Sequence, residues 1–208
     1  DKLTLVGTDG HRLSLSRRPA EVSTDDSISL VVPQKAMSEL QKLTADHDGD
    51  AYLWHVHDSL FVRLGSREVH TSLQEQKFPD YGRVIPQGND KTVHVDTDAF
   101  RSAVDRVAVL SAESSRLVKL SLENDALTVS TSNAQTGDAQ EDLSVSFSSE
   151  PFAIGFNAQY LQDFFGVAGT QAVEMSFGQP MGQGLMRPLR EPEDPREDLY
   201  IVMPMALS

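Results

Sequence analysis

The 208 residues, 39% of them apolar, suffice for one large hydrophobic core or two small ones, and no apolar run approaches the ~20 residues needed to cross a bilayer. A formal charge of −13 argues against a surface that coats nucleic acid indiscriminately, so any DNA contact must come from a local basic patch. The lack of cysteine excludes disulfides and thiolate metal sites, and the opening DKLTLVGTDG has no charged-then-apolar signal layout, which points to the cytoplasm.

Apolar and polar residues alternate in short runs throughout, which predicts strands with one buried face in mainly antiparallel sheets. KLTLVGT and RLSLS come first, joined by TDGH. Asp-Gly between two alternating runs is a strong hairpin signal, because glycine takes the positive φ that tight turns demand. This places Gly10 at a hairpin tip and presents His11 and Arg12 at a sheet edge, free to meet a partner. SISLVV (27–32) reads as the next strand and leads into a helix over 33–45 that starts near Pro33. On that helix Ala36, Met37, Leu40 and Leu43 share one side, with Lys35 and Lys42 together on the other.

Three strands follow, AYLWHVH, LFVRL and EVHTSL. The segment VIPQGNDKT (84–92) then clusters Pro, Gly, Asn and Asp, as a domain boundary does. The strand KTVHVD precedes a helix over 97–112, capped by Asp96 or Thr97. Its core stripe is Phe100, Ala103, Val104 and Val107, with Arg101 and Arg106 outside it. Val109 sits opposite that stripe beside Leu110, where an apolar residue is either simply tolerated or marks a protein contact. LVKLSLE, ALTVST and DLSVSF are strands. FAIGF leads into a third helix over 157–169, capped by Asn157, which buries Leu161, Phe164, Phe165 and Ala168 and carries no basic residue. AVEMSF and YIVMPM complete the chain. A strand-helix-strands unit is thus used three times at a spacing of roughly 60 residues. The fold class is α+β, with an incomplete first domain over 1–88 and a complete second domain over 89–208.

Candidate chemistry is sparse. Asp9, His11 and Ser14 are the residue types of a hydrolytic triad, but no strained G-x-S-x-G elbow accompanies them. His55 and His57, two apart on a strand with Asp58 adjacent, would share a face that could hold a metal, but six histidines without a third well-spaced ligand favour a solvated strand face. There is no phosphate-binding glycine loop. A small Ser/His/Asp hydrolase therefore stands as an alternative, as does a peptide-binding adaptor without a DNA role.

Three separated motifs, TDGHRLS (8–14), FPDYGRVIP (78–86) and YIVMPMAL (200–207), resemble those of the bacterial sliding clamp, the β subunit of DNA polymerase III, in that family's order. The resemblance extends over essentially the whole chain, and matches the second half of a middle domain followed by a last domain. It implies a clamp fold with helices on the inner face of antiparallel sheets, and no catalytic step or cofactor. The implied activity is that of a processivity factor, which encircles duplex DNA and tethers polymerase through a peptide-binding groove.

The groove residues carried over by matching motif are Thr8, Gly10, His11, Arg12 and Leu13, then Pro79, Arg83 and Val84, then Ile201, Met203, Pro204 and Met205. Met186 and Pro188 are added from the preceding hairpin. Met, Leu, Val and Pro suit an adaptable apolar cleft, with His11 and Arg12 for the polar atoms of a peptide. The resemblance also implies Lys35, Lys42, Arg101 and Arg106 as DNA-facing and Val109 and Leu110 as subunit interface. Implied partners are the DNA polymerase III catalytic subunit, the clamp loader and other proteins with clamp-binding peptides. The implied assembly is a homodimeric ring for a full-length subunit, with this stretch monomeric. Two departures from the family pattern are Ser115, where some clamps place a bulky aromatic, and Ala206, where arginine is common.

Overall fold

The computed structural model describes residues 1–23 and 26–207. They form two compact units, one of residues 1–22 with 82–208, the other of residues 23–81. The larger unit contains a six-stranded antiparallel sheet. Its order is β1 (Lys2–Thr8), β2 (Arg12–Pro19), β13 (Glu197–Val202), β12 (Gly184–Pro188), β11 (Ala172–Phe177) and β6 (Lys91–Asp96). The opening hairpin clusters with residues 82–208, not with 23–81 as a domain running to residue 88 would have it, because β2 pairs antiparallel with β13 from Arg17↔Glu197 to Arg12↔Val202. Ion pairs follow that register: Arg18 grips Asp198 through two bonds of 2.9 and 3.0 Å, and Arg190 adds a third at 2.6 Å.

A four-stranded sheet lies in the same unit, in the order β10 (Phe152–Asn157), β7 (Leu117–Glu123), β8 (Ala126–Asn133) and β9 (Gly137–Ser144). Two helices fill the core with these sheets: α2 (Thr97–Ala108) and α3 (Ala158–Phe165). Asp96 caps α2 by accepting the Ala99 N–H at 2.8 Å, and Asn157 caps α3 through the Gln159 N–H at 2.9 Å. The predicted stripes are the buried ones, Phe100, Ala103, Val104 and Val107 on α2 and Leu161, Phe164 and Phe165 on α3. Phe100 and Phe165 meet with ring centroids 4.5 Å apart. Helix α2 ends at Ala108, short of the predicted 112. From Val109 to Ser111 each N–H bonds the carbonyl three residues back, so the last turn tightens and the chain leaves the axis.

In the smaller unit α1 (Gln34–Ala45) packs Leu40 and Leu43 on Leu60, Val62 and Leu64 of a three-stranded sheet, β3 (Ala51–Val56), β4 (Ser59–Leu64) and β5 (Arg67–Ser72). SISLVV is not a strand. Leu30 and Val32 still pack inward on the same cluster, but no strand among the described residues pairs with that segment. His55 and His57 do not share a strand face either, because His57 lies in the β3–β4 turn with φ 51°.

Candidate functional site

The hairpin tip is organised by its own side chains. Thr8 pairs with Leu13, and the chain reverses through Asp9–Arg12, with Gly10 at φ 86°. Asp9 Oδ1 accepts the N–H groups of His11 and Arg12, both at 3.0 Å, while Thr8 Oγ1 accepts from Gly10 and donates to the Arg12 carbonyl at 2.7 Å. Polar demand at the tip is thereby met locally. Asp9 Oδ2 takes the Arg12 Nε at 3.0 Å. Both oxygens of Asp9 are therefore committed elsewhere, and the carboxylate does not orient the His11 imidazole as a triad requires.

The two neighbouring strands place apolar groups beside this tip. Leu13 lies opposite Ile201 in the β2–β13 register, and both are buried. Past the end of β13, the Met203 N–H donates to the His11 carbonyl at 2.8 Å, which fixes the tail against the tip. Thr8, Gly10, His11, Arg12, Leu13, Val84, Ile201 and Met203 together line a shallow cleft of about 30 Å³. Met203 is 40% exposed there, a flexible apolar side chain at an open surface.

The remaining expected groove residues fall outside the lining. Met186 is fully buried in the core, where it pairs with Met175 and Tyr200, and Pro188 is buried opposite Val173. Arg83, Pro204 and Met205 do not border the cleft. Pro79 belongs to the smaller unit. Met205 instead donates its N–H to the Gly155 carbonyl at 2.8 Å, so the tail continues from the six-stranded sheet onto strand β10. Only a glycine allows this approach: a Cβ at 155 would stand 2.8 Å from the Met205 carbonyl oxygen and from Leu207 Cδ2.

Arg12 is not free, contrary to expectation. Its Nη1 donates to Asp163 Oδ2 at 2.5 Å and to the Tyr200 hydroxyl at 3.4 Å, and its guanidinium lies 4.4 Å from the centroid of the Tyr160 ring. Partial burial opposes ionisation of Asp163, but Arg12 and Gln159 outweigh it and hold the carboxylate below its usual range. Asp9 behaves likewise, its burial outweighed by the His11 N–H and Arg12. Burial pushes the Tyr200 phenol up to about 12. Tyr160, Asp163 and Tyr200 were missed as site residues. The one hint was that Gln159 and Asp163 fall four apart on the polar face of the third helix, where they bond at 2.9 Å.

The other expected surfaces are separate. Val109 is 77% exposed at the end of α2 and borders a cavity of about 300 Å³, with Asp105, Glu113, Arg116 and Gln162 also on its wall. Leu110 is half-buried beside it. The expected DNA-facing cations lie near carboxylates: Arg106 on Glu141, Arg101 4.0 Å from Asp105, and Lys42 2.9 Å from Glu39, which also feels Lys35. Ser115 lies in the turn before β7, where its Oγ accepts from the Leu117 N–H at 3.4 Å. Among the described residues no helix is long and apolar enough to cross a membrane.

Two family models match consecutive parts of the chain, the DNA polymerase III β subunit central domain over residues 1–80 and its C-terminal domain over 82–206. A β sliding clamp of Caulobacter vibrioides is 38% identical over 205 residues, covering 98% of this chain and 54% of the relative. One of Pseudomonas aeruginosa is 34% identical, covering 99% and 55%. Among solved structures, a P. aeruginosa clamp bound to griselimycin superposes with TM-score 0.92 at 33% identity over 99% of this chain and 55% of its own. A Caulobacter crescentus clamp gives 0.88 at 36% identity over 99% and 54%. The chain spans about half the length of the curated relatives it matches.

Proposed function

Because the chain belongs to the family of the bacterial DNA polymerase III β subunit, the sliding clamps, we propose that it forms the part of a processivity factor that captures partner proteins through the cleft at its hairpin tip. The observation that carries this reading is the seating of an exposed Met203 against His11 beside a buried Leu13–Ile201 pair. It is an open apolar cleft with polar groups on its rim, which suits a short peptide with apolar anchors and a glutamine. The peptides would come from the DNA polymerase III catalytic subunit, the clamp loader and other DNA-processing proteins. The mechanism is topological: a homodimeric ring encircles duplex DNA and is used without bond-making. Val109 and Leu110 lie at the closing interface, and Lys35, Lys42, Arg101 and Arg106 face the duplex. The chain works in the cytoplasm and needs no cofactor. The two family domains meet in the segment between residues 80 and 88, with the opening hairpin part of the middle domain.

The test is titration calorimetry of the 208-residue chain with a peptide carrying Gln followed by Leu and Phe anchors. Binding at about micromolar strength is expected, as a few buried anchors supply. Met203→Asp should weaken it at least about thirtyfold, since an unpaired carboxylate in the cleft costs about 2 kcal/mol or more, whereas Lys42→Ala should leave it unchanged. No saturation by the folded parent chain would refute the reading.

A further inference from the structure

We propose that Asp163 is a positioning residue of this cleft: through Arg12 it anchors the hairpin tip to helix α3 and so sets the distance between the tip and Met203. The inference rests on the peptide-binding reading and names a residue outside the cleft lining. The hairpin's own bonds hold its shape, and the β2–β13 ladder and the Met203 bond hold its backbone beside β13, but none of them ties the tip to helix α3. Asp9 ties Arg12 to the tip itself, three residues away, whereas Asp163 ties it to an element 151 positions along the chain. Asp163 is in turn oriented by Gln159, whose Nε2 donates at 2.9 Å while its Oε1 accepts from Arg116 at 2.7 Å. The anchor is therefore held from both sides.

What Asp163 positions is the polar wall of the cleft. With the guanidinium fixed over the Tyr160 ring, the adjoining His11 lies 6.4 Å from the same ring, centroid to centroid, and its carbonyl receives the Met203 N–H. Release of Arg12 would let the tip swing on its two strands and would loosen the Met203 contact, leaving the apolar floor of Leu13 and Ile201 intact. Asp163 is exposed on the polar face of α3, so its removal opens no core cavity.

The experiment is a double-mutant cycle on the 208-residue chain, read by titration calorimetry with the same Gln-Leu-Phe peptide and accompanied by thermal unfolding of each variant. Asp163→Ala should weaken binding about fivefold, the most that an anchor worth about 1 kcal/mol supplies, and Asp163→Glu should restore it to within about twofold. Arg12→Ala combined with Asp163→Ala should bind no more weakly than the worse single variant, because both remove the same anchor. If Asp163→Ala unfolds early, the near-isosteric Asp163→Asn takes its place with the same expected loss. Parent-like affinity in a folded Asp163 variant, or strictly additive losses in the double variant, would overturn the inference while leaving the peptide reading standing. Absence of binding by the parent chain would overturn both.

Discussion

Arg12 shows how one side chain can be claimed by a fold before any partner arrives. Asp9 and Asp163 both carry lowered pKa values for reasons that exist only in the folded state, chiefly bonds to Arg12 and nearby N–H groups that outweigh partial burial. A depressed carboxylate contributes stability that is fully present above its unfolded value, 3.8, and is lost as pH falls below that through the folded value. Arg12→Ala should therefore lower the unfolding midpoint at neutral pH, and the gap between it and the parent should narrow as pH is lowered from about 5 to about 3. Thermal unfolding followed by circular dichroism across that range checks this. A gap that stayed constant would mean that the carboxylates draw nothing from Arg12. Both pairs are partly exposed, so the gap itself should be about 1 kcal/mol or less.

At the scale of elements, the tail after β13 depends on one glycine in β10. A methyl group at 155 would meet Met205 O and Leu207 Cδ2 at 2.8 Å and Leu117 Cδ1 at 2.9 Å, closer than real Cβ contacts come. Gly155→Ala should destabilise the larger unit by about 1–3 kcal/mol through overpacking and should weaken peptide binding by shifting Met203. Gly10→Ala meets no atom within 4 Å and bears only the strain of φ 86°, so it should cost about 1 kcal/mol. Chemical denaturation of the two variants side by side gives the order.

The elements most legible in the sequence were those whose signals are local. Asp96 and Asn157 marked helix starts, and Asp-Gly marked the hairpin. SISLVV misled because alternation encodes which side chains turn inward, and Leu30 and Val32 do so without a pairing strand. Strand β9 was placed too late, at DLSVSF, because its first half is polar: Glu141 faces Arg106 where an apolar residue would have signalled a strand. Site residues followed the same rule. The tip was readable from six consecutive residues, whereas the pairing of Arg12 with Asp163 joins positions that only the folded sheet and helix bring together.

For the molecule as a whole, the decisive quantity is charge. The net −13 is spread over a chain whose expected DNA-facing arginines already lie beside Glu141 and Asp105. Few phosphates can then be neutralised, so the 208-residue chain should bind linear duplex weakly, with Kd above about 10 μM at about 0.15 M salt. Fluorescence anisotropy with a labelled duplex tests this, and nanomolar binding would point to a basic surface other than these helices. The tail that borders the cleft has a second consequence for the molecule. Strand β10 is the outermost of its sheet, and a bare outer strand offers unpaired backbone groups to any other extended chain. Met205 occupies part of that border through its bridge to Gly155. The tail that leaves Met203 at the cleft therefore also covers an edge open to polymerisation at Met205, and any event that lifts it trades solubility for access.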